Sequence, residues 1–236
     1  MNKPTISVVI PAYNEGEHIK SVISAVQNIP QFKEVILVDD HSKPEFEKMY
    51  QNIEGITLLR HKEKNLGKTL AMNTGVEYAS GDYILFLDAD LTGLTQKHFI
   101  GFVESIGDND VIRIARGADY GWAKFVGLTY VVGGEQLIRR EILANNHDYF
   151  FKDSRWSFEP NLNEYVTKHK LKFAIVEFAG VNHILKMKKY DPITGFLHDM
   201  EFLIDGIIRK FKVFKFFGFY FSILKQIRER KIISGK

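Results

Sequence analysis

The sequence predicts an α/β fold in which helices cover both faces of a mostly parallel sheet. Apolar runs of strand length alternate with segments of helical periodicity through the first half of the chain. The run 83–87 is almost wholly apolar, which is typical of a strand that is buried on both faces. The chain has 236 residues, of which 45% are hydrophobic, so it can form one substantial core.

The elements are predicted in a regular order along the chain. The predicted strands cover residues 6–10, 34–38, 56–59, 82–87, 111–115 and 171–178. The predicted helices cover residues 15–28, 44–51, 66–79, 94–105 and 156–169. In the first helix Ile19, Val22 and Val26 share one face, and Pro30 follows the helix end. The second half is less regular, and the segment 130–143 receives no assignment.

Composition limits the class of protein. The chain has no cysteine, which excludes disulfides and thiolate metal sites. The first residues lack the pattern of a signal peptide, and no uncharged apolar stretch reaches the length of about 18 residues that a spanning helix needs. We therefore expect a cytoplasmic protein.

The C-terminal segment 206–236 differs from the rest of the chain. From residue 209 onward it carries nine Lys or Arg and one acid, a charge of +8, which leaves −5 for the rest of a chain with net charge +3. Phenylalanines are interleaved with these lysines, so we expect an amphipathic helical extension. Such a helix can lie at the cytoplasmic face of a membrane, pack on the domain or form a dimer interface. No nucleic-acid-binding module is recognisable, so nucleic acid is not an expected partner.

Polar side chains follow three predicted strands, in the segments 11–15, 39–42 and 88–90. The carboxyl ends of strands lie along one rim of a doubly wound sheet, where ligands bind. Asp88 and Asp90 point the same way from an extended chain, so they can converge on one hard cation. Phosphate oxygens commonly complete such a site. The sequence therefore predicts a metal-dependent enzyme that acts on a diphosphate compound.

Two further side chains on this rim have the chemistry to hold a base. The ring of Tyr13 can pack against a flat base, and Asp40 can accept a hydrogen bond from a base N–H. The alternative is that Asn14, Asp40 and Ser42 only cap helices. Capping explains each of these residues singly, but it does not explain why three strand ends are polar together.

These segments, together with residues 65–75, resemble the motifs of the family 2 glycosyltransferases. That family has the GT-A fold, a Rossmann-like, mostly parallel sheet, and uses nucleoside-diphosphate sugars. The resemblance implies a glycosyltransferase domain at 1–205, with a nucleotide-binding half at 1–92 and an acceptor half at 93–205. It implies a UDP-sugar rather than a GDP-sugar as donor, because UDP is the commoner nucleotide in the family.

The resemblance also assigns site residues. Asp88 and Asp90 would hold Mn²⁺ or Mg²⁺, which offsets the charge that builds on the leaving nucleoside diphosphate, so Asp90 counts among the catalytic residues. The implied nucleotide-binding residues are Pro11, Ala12, Tyr13, Glu15, Asp39, Asp40, Gly67, Lys68, Asp88 and Ala89.

The segments 134–143, 156–162 and 175–177 resemble a narrower group, the dolichyl-phosphate mannose synthase-like branch. This resemblance implies that Gly134 lies on the acceptor side. It also implies that Glu159 takes a proton from an acceptor hydroxyl, unless Glu159 is only a solvated carboxylate at a helix start. The chain departs from the pattern at Gln136, where arginine is usual, and at Pro160, where many relatives have aspartate.

Three other residues are candidates for the site. Arg116 and Arg139 are candidates for binding an acceptor anion. His183 is a candidate third metal ligand, because neutral imidazole ligates divalent ions and some related sugar transferases use a late histidine in this way. The alternative for His183 is an ordinary loop histidine. The expected acceptor is a lipid-linked or cell-surface glycan or a polyprenyl phosphate.

Three other classes of enzyme conflict with the motifs of this chain. A phosphate loop that ends at Gly67-Lys68-Thr69 needs a glycine at position 62, which is lysine. An aspartyl-phosphate phosphatase would carry a motif that resembles Asp-x-Asp-Gly-Thr, whereas Leu91 follows Asp90 in this chain. A nucleotidyltransferase would have a glycine-rich, basic loop directly after the first strand. Residues 12–15 of this chain do not provide such a loop. A nucleotide-sugar binding module that has lost catalysis stays open because of Pro160.

Overall fold

The computed structural model describes residues 3–116, 133–152 and 157–183, together with Phe221 and the strand at 233–234. The strands in this part of the chain are β1 (Ile6–Ala12), β2 (Phe32–Asp39), β3 (Thr57–Arg60), β4 (Tyr83–Phe86), β5 (Leu91–Thr92), β6 (Val111–Arg116), β7 (Gln136–Arg139), β8 (Phe173–Phe178), β9 (Asn182–His183) and β10 (Ile233–Ser234). The helices are α1 (His18–Val26), α2 (Pro44–Gln51), α3 (Lys68–Tyr78), α4 (Gln96–Glu104), α5 (Arg140–Asn145), α6 (His147–Phe151) and α7 (Phe158–His169).

The described strands form one large and one small sheet. The large sheet has the order β10-β8-β6-β7-β4-β1-β2-β3, and β5 pairs with β9 in the small one. Most neighbours in the large sheet are parallel, but β7 is antiparallel to both β4 and β6. The predicted α/β fold with a mostly parallel sheet is therefore confirmed. The strand β7 falls in the segment that received no assignment from the sequence.

Helices cover both faces of the large sheet, and the side chains of β1 alternate between two cores. Val8 and Ile10 belong to one core with apolar side chains of α1 and α4. Val9 belongs to the other core with side chains of α3 and α7. This alternation is the ordinary two-residue period of a strand. The strand β1 is therefore buried on both sides.

The helix α3 packs unusually close to β1. A Cβ atom added to Gly75 would stand 2.3 Å from Cγ1 of Val9, so only glycine fits here without a shift. Because α3 follows a parallel strand, its first residue, Lys68, lies at the rim where β1, β2 and β4 end. The close contact at Gly75 thus sets how near α3 lies to β1, and with it the position of Lys68 at this rim.

Four helices, α1, α3, α4 and α7, begin two or three residues later than the sequence predicts, and in α1 and α3 a polar contact holds the preceding residues. The helix α1 begins at His18, since Asn14 has a φ of 54° and its backbone N–H donates to Ser42 Oγ. The helix α3 begins at Lys68, since Gly67 has a φ of 95° and its backbone N–H donates to Asp40. Glycine reaches a positive φ without the steric cost that other residues incur.

The predicted amphipathic extension at 206–236 falls outside the described residues, apart from Phe221 and β10, and Trp156 also lies outside them. The strand β10 pairs in parallel with β8, so the end of this segment lies on the edge of the large sheet. Within the described ranges, none of the helices combines the length and the apolar character that crossing a bilayer requires.

Candidate functional site

Three side chains at the rim could hold a metal ion. Asp88 and Asp90 follow β4, and His183 lies in β9, which pairs with β5 just beyond them. Nδ1 of His183 lies 2.7 Å from Asp90 Oδ1, and its Nε2 lies 3.8 Å from Asp88 Oδ2. One possible ligand atom from each residue lies within 4.8 Å of those of the other two. The structure therefore brings together the three ligands that the sequence suggested from distant segments.

The pairing of β5 with β9 brings His183 to the aspartates. Leu91 pairs with His183, and a Cβ at Gly93 would stand 2.3 Å from the carbonyl oxygen of Gly180. Gly93 has a φ of 75°, a conformation that favours glycine. Two carboxylates and one imidazole suit Mn²⁺ or Mg²⁺, which prefer oxygen ligands and accept nitrogen, and the chain has no thiolate that would favour a softer metal.

Lys68 lies between this group and a further carboxylate, that of Glu159. Its Nζ lies 2.6 Å from Asp88 Oδ1 and 3.3 Å from Glu159 Oε1. Burial lowers the pKa of Lys68, but the carboxylates of Asp88 and Glu159 outweigh burial and hold that pKa above its usual value. Lys68 is therefore a permanent cation at the N-terminus of α3, a position that also favours anions such as phosphate.

Gly134 leaves room for the ion pair of Lys68 and Asp88, because glycine has no side chain. A Cβ at this position would stand 2.5 Å from Lys68 Nζ and 2.8 and 2.9 Å from the two oxygens of Asp88. Any larger residue would push against the charged atoms themselves. The sequence placed Gly134 on the acceptor side, and the structure places it against Lys68 and Asp88.

Glu159 stands in the first turn of α7, opposite Asp88 across Lys68. The N-terminus of a helix stabilises a carboxylate. Pro160 also fits here, because the backbone N–H groups of a first helical turn have no partner within the helix. The departure at Pro160 therefore costs the helix little, and it leaves Glu159 at the site.

Glu135 is a site residue that the sequence analysis missed. It is 1% exposed; its Oε1 lies 3.3 Å from His183 Nε2 and its Oε2 lies 3.3 Å from Arg116 Nε. Burial raises the pKa of Glu135 to about 7, while the guanidinium of Arg116 opposes that rise. The signal in the sequence was a glutamate between a glycine pair and an apolar strand, a place where an unpaired charge would be costly.

Arg113 is a second missed residue, in the middle of β6. Its Nη2 donates to Gln136 Oε1 at 3.1 Å and to Asn163 Oδ1 at 2.5 Å, which ties β7 and α7 to β6. Burial lowers the pKa of Arg113 to about 10, and the charges of Glu159 and Glu135 oppose this effect. An arginine in place of Gln136 would face Arg113 across this contact, which gives a physical reason for the departure from the family pattern.

Asp39 and Asp40 have protein partners at the rim. Asp40 accepts from the backbone N–H groups of Leu66 and Gly67, at 2.8 and 2.7 Å, and lies 2.7 Å from His61 Nδ1. Asp39 accepts from Arg60 at 2.7 Å and from the backbone of Ser42. Both carboxylates are buried. They hold the loops that lead into α2 and α3, and the predicted contact between Asp40 and a base stays a prediction.

The remaining nucleotide-side candidates lie at the end of β1. Tyr13 is 43% exposed, which leaves its ring free to meet a ligand. Glu15 contacts His18 through its carboxylate and Tyr50 through its backbone. Ala12 is buried and Pro11 partly buried in β1, and Ala89 is buried between the two aspartates. Of these residues, Tyr13 is the one whose side chain presents a surface at the rim.

Arg139 is the candidate that the structure places elsewhere. It pairs with Tyr83 in the sheet register, at the start of β4, whereas Asp88 follows the other end of that strand. Its guanidinium contacts Asp110 at 3.2 Å and lies over the ring of Tyr83. The antiparallel direction of β7, which the sequence did not reveal, is the reason. Arg116, by contrast, reaches the site through Glu135.

Residues 7–228 match the family described as Glycosyl transferase family 2. The chain is 28% identical over 221 residues to the uncharacterized glycosyltransferase MJ1057 of Methanocaldococcus jannaschii, which covers 90% of this chain and 68% of that protein. It is 29% identical over 118 residues to the GalNAc(5)-diNAcBac-PP-undecaprenol beta-1,3-glucosyltransferase of Campylobacter jejuni, which covers 44% of this chain and 38% of that protein.

Crystal structures of glucosyl-3-phosphoglycerate synthase from Mycobacterium tuberculosis share the fold. The complex with Mn²⁺, UDP-glucose and phosphoglyceric acid has a TM-score of 0.62 and 20% identity, and the match covers 77% of this chain and 72% of that one. The complex with Mg²⁺ and UDP has a TM-score of 0.64 and 20% identity, and the match covers 82% and 74%. This likeness places the described sheet and helices in the GT-A fold.

Proposed function

The chain belongs to glycosyl transferase family 2, and we propose that it transfers a sugar from a nucleoside-diphosphate sugar to an acceptor with the help of Mn²⁺ or Mg²⁺. The observation that carries the proposal is the convergence of Asp88, Asp90 and His183 beside Lys68 at one rim of the sheet. A divalent ion held there, together with an ammonium group, provides positive charge where a leaving nucleoside diphosphate becomes more negative.

The residues of the chain have separate tasks in this proposal. Tyr13 packs against the base, and the loop held by Asp40 places Lys68 against the diphosphate. Asp88, Asp90 and His183 would hold the ion. The donor is a UDP-sugar, a choice supported by the UDP complexes of proteins with the same fold.

Glu159 is the proposed base on the acceptor side. It lies across Lys68 from Asp88, so an acceptor hydroxyl beside it would also be near the sugar of the donor. A carboxylate there can take the proton that the hydroxyl loses as its oxygen attacks the sugar carbon. When the phosphate of a polyprenyl phosphate is the acceptor, no base is needed.

The acceptor is proposed to be a lipid-linked or cell-surface glycan. The Campylobacter relative supports this class, because its name describes glucosyl transfer to an undecaprenol-linked glycan. The fold relative from Mycobacterium supports a smaller anionic acceptor, because it was solved with phosphoglyceric acid. Contact of the basic 206–236 segment with an anionic membrane surface belongs to the same proposal, as does membership of the dolichyl-phosphate mannose synthase-like branch.

A second candidate function is nucleotide-sugar binding without transfer. One observation favours it: Lys68 Nζ already lies 3.3 Å from Glu159 Oε1, so this carboxylate is engaged by a cation rather than facing an acceptor alone. The two candidates predict the same binding of donor and metal. They differ in whether the sugar leaves the nucleotide when an acceptor is present.

A binding screen followed by a turnover assay tests both candidates. Thermal shifts with nucleoside diphosphates and their sugars, with and without Mn²⁺, identify the base, and we expect a selective, metal-dependent shift with UDP. Release of UDP from UDP-sugars in the presence of an acceptor panel then measures transfer. We expect Asp88→Ala plus Asp90→Ala to lower this rate by about 100-fold or more. Asp148→Ala, which removes an exposed carboxylate from α6, is the matched control.

The outcomes separate the candidates. UDP release that survives the double substitution would contradict the proposed site. Tight, metal-dependent binding of UDP-sugar without release across the panel would favour the binding module.

A further inference from the structure

Glu135 is a buried carboxylate at the edge of the proposed metal site. Its side chain is 1% exposed, and neither of its oxygens has a hydrogen bond to the described residues, although Arg116 and His183 stand 3.3 Å away. Burying a carboxylate that lacks hydrogen bonds is costly unless a partner appears in the functional state. Glu135 is not one of the three residues whose ligand atoms lie together.

The ring of His183 lies between two carboxylates. Asp90 Oδ1 is 2.7 Å from Nδ1, and Glu135 Oε1 is 3.3 Å from Nε2. Two ligand atoms of one octahedral Mg²⁺ or Mn²⁺ ion stand about 3 Å apart. The 2.7 Å between Nδ1 and Asp90 Oδ1 is a hydrogen-bonding distance, and it is close to the spacing of neighbouring ligands. When Nδ1 carries the lone pair that faces an ion, the proton of the neutral ring is on Nε2 and points to Glu135.

We propose that Glu135 is a positioning residue of the metal site, whose Oε1 accepts the Nε2–H of His183 and so presents Nδ1 to the ion beside Asp90. This inference rests on the proposed function, because it concerns the same ion. Metal-ligating histidines generally donate their other N–H to a carboxylate or carbonyl, which fixes the tautomer and the ring orientation. Glu135 supplies that carboxylate from a different part of the sheet.

Both partners are anchored independently of the ion. The carbonyl of Glu135 accepts from the backbone of Ile114, and the next residue pairs with Phe86 of β4, so Glu135 sits just beside the start of the Asp88–Asp90 segment. Arg116 holds the second carboxylate oxygen from the end of β6. His183 is fixed by its pairing with Leu91.

Metal affinity in the absence of nucleotide tests this role without any turnover. Binding of Mn²⁺ is titrated through the electron paramagnetic resonance signal of the unbound ion, in the wild type, Glu135→Gln and Glu135→Leu. Glutamine keeps a carbonyl acceptor for Nε2–H, so we expect its affinity to stay within about threefold of wild type. Leucine removes the acceptor at similar volume, and we expect an affinity about 10- to 100-fold lower.

A spectroscopic measurement covers the case in which leucine disrupts folding. In the Mg²⁺-saturated wild type and in Glu135→Gln, nitrogen–proton correlation spectra of the histidine rings should show His183 as the Nε2–H tautomer. The signal is assigned by its loss in His183→Gln. A wild-type spectrum with the proton on Nδ1 overturns the proposal, whatever the variants do.

The remaining outcomes are also decisive. Equal losses in Glu135→Gln and Glu135→Leu would show that the charge of Glu135 matters rather than its acceptor, which contradicts a positioning role. An unchanged Mn²⁺ affinity in Glu135→Leu also contradicts the positioning role of Glu135. Failure of the wild type to bind Mn²⁺ or UDP contradicts the proposed function, whereas binding that is insensitive to Glu135 contradicts only the inference.

Discussion

Lys68 Nζ lies 2.6 Å from Asp88 Oδ1, so a fixed ammonium group occupies one side of a carboxylate that is also a candidate metal ligand. The same nitrogen lies 3.3 Å from Glu159 Oε1. One cation therefore links the donor side of the proposed site to its acceptor side. The diphosphate of a donor would compete with both carboxylates for this nitrogen.

Replacing Lys68 by methionine should change two affinities in opposite directions. Affinity for UDP in the presence of Mn²⁺ should fall about tenfold, because a charge-assisted contact to phosphate is lost. Affinity for Mn²⁺ without nucleotide should rise about threefold, because a positive charge beside Asp88 is removed. Calorimetry with UDP and resonance titration with Mn²⁺ measure the two values.

The control for this experiment is Lys172→Met. Lys172 precedes β8, so it lies at the end of the strands opposite to the rim, and it contacts Asp108 at the surface; neither affinity should therefore change. A fall in both affinities of Lys68→Met would mean that Lys68 supports the fold of the site rather than competing with the ion.

Glu159→Gln should separate catalysis from donor binding. Glutamine keeps an oxygen for Lys68 but cannot take a proton, so we expect kcat to fall about 100-fold, in the range typical of general-base catalysis. The affinity for UDP should not fall, and should rise by up to about threefold, because the diphosphate no longer competes with the charge of Glu159 for Lys68. Steady-state kinetics and calorimetry on one preparation provide both values. An unchanged kcat would indicate an acceptor that is already anionic, and would contradict the role of Glu159 as base.

Gly134→Ala should disturb the charged pair directly. The new methyl group would stand 2.5 Å from Lys68 Nζ and within 3 Å of both Asp88 oxygens, so those atoms must move. We expect UDP and Mn²⁺ affinities to fall about tenfold, comparable to the loss of one charged hydrogen bond. Isothermal titration calorimetry with UDP and with Mn²⁺ measures both affinities.

Gly101→Ala in α4 is the matched control for that substitution. An added Cβ there meets nothing within 4 Å, so both affinities should be unchanged. The free energy of unfolding should rise by about 0.5–1 kcal/mol, because alanine favours a helix over glycine. Equal binding by the two alanine variants would show that Gly134 does not shape the site.

Gly75→Ala tests the packing of α3 on β1. The methyl group would stand 2.3 Å from Val9 Cγ1, and overpacking of this kind costs about 1–3 kcal/mol of stability. The melting temperature should fall by about 2–4 °C for each kcal/mol lost in a chain of this length. Thermal denaturation monitored by circular dichroism measures the change.

The double substitution Gly75→Ala plus Val9→Ala provides the check. Removing the branched side chain makes room for the new methyl group, so the double variant should be more stable than the sum of the two single effects predicts. Strict additivity would mean that the helix moves away from the strand instead of clashing with it.

Most of the rim could be predicted from the sequence because its signals are local. Asp88 and Asp90 follow a buried strand directly, and the alternation of strands and helices determines where that strand ends. The role of His183 could be predicted only from a family resemblance, because its approach to Asp88 and Asp90 depends on the pairing of the short strands β5 and β9. No local pattern reports such a pairing.

The missed and misplaced residues share a physical reason. Glu135 and Arg113 are buried charges whose partners come from other strands and from α7, and a single sequence does not show which polar side chains meet. Arg139 lies in a segment that received no assignment from the sequence, and the antiparallel direction of β7 places it at the far end of β4. Asp40 was correctly placed at the rim, but its backbone partners depend on a glycine with positive φ.

The two-stranded sheet of β5 and β9 has a thermodynamic consequence. His183 is separated from Asp90 by 93 positions, so an unfolded chain does not hold its three ligands near one another. An ion that binds only the native arrangement shifts the folding equilibrium by mass action. The supply of divalent cations then becomes a variable of conformational stability, and a chelator should lower the denaturation midpoint even when no sugar nucleotide is present.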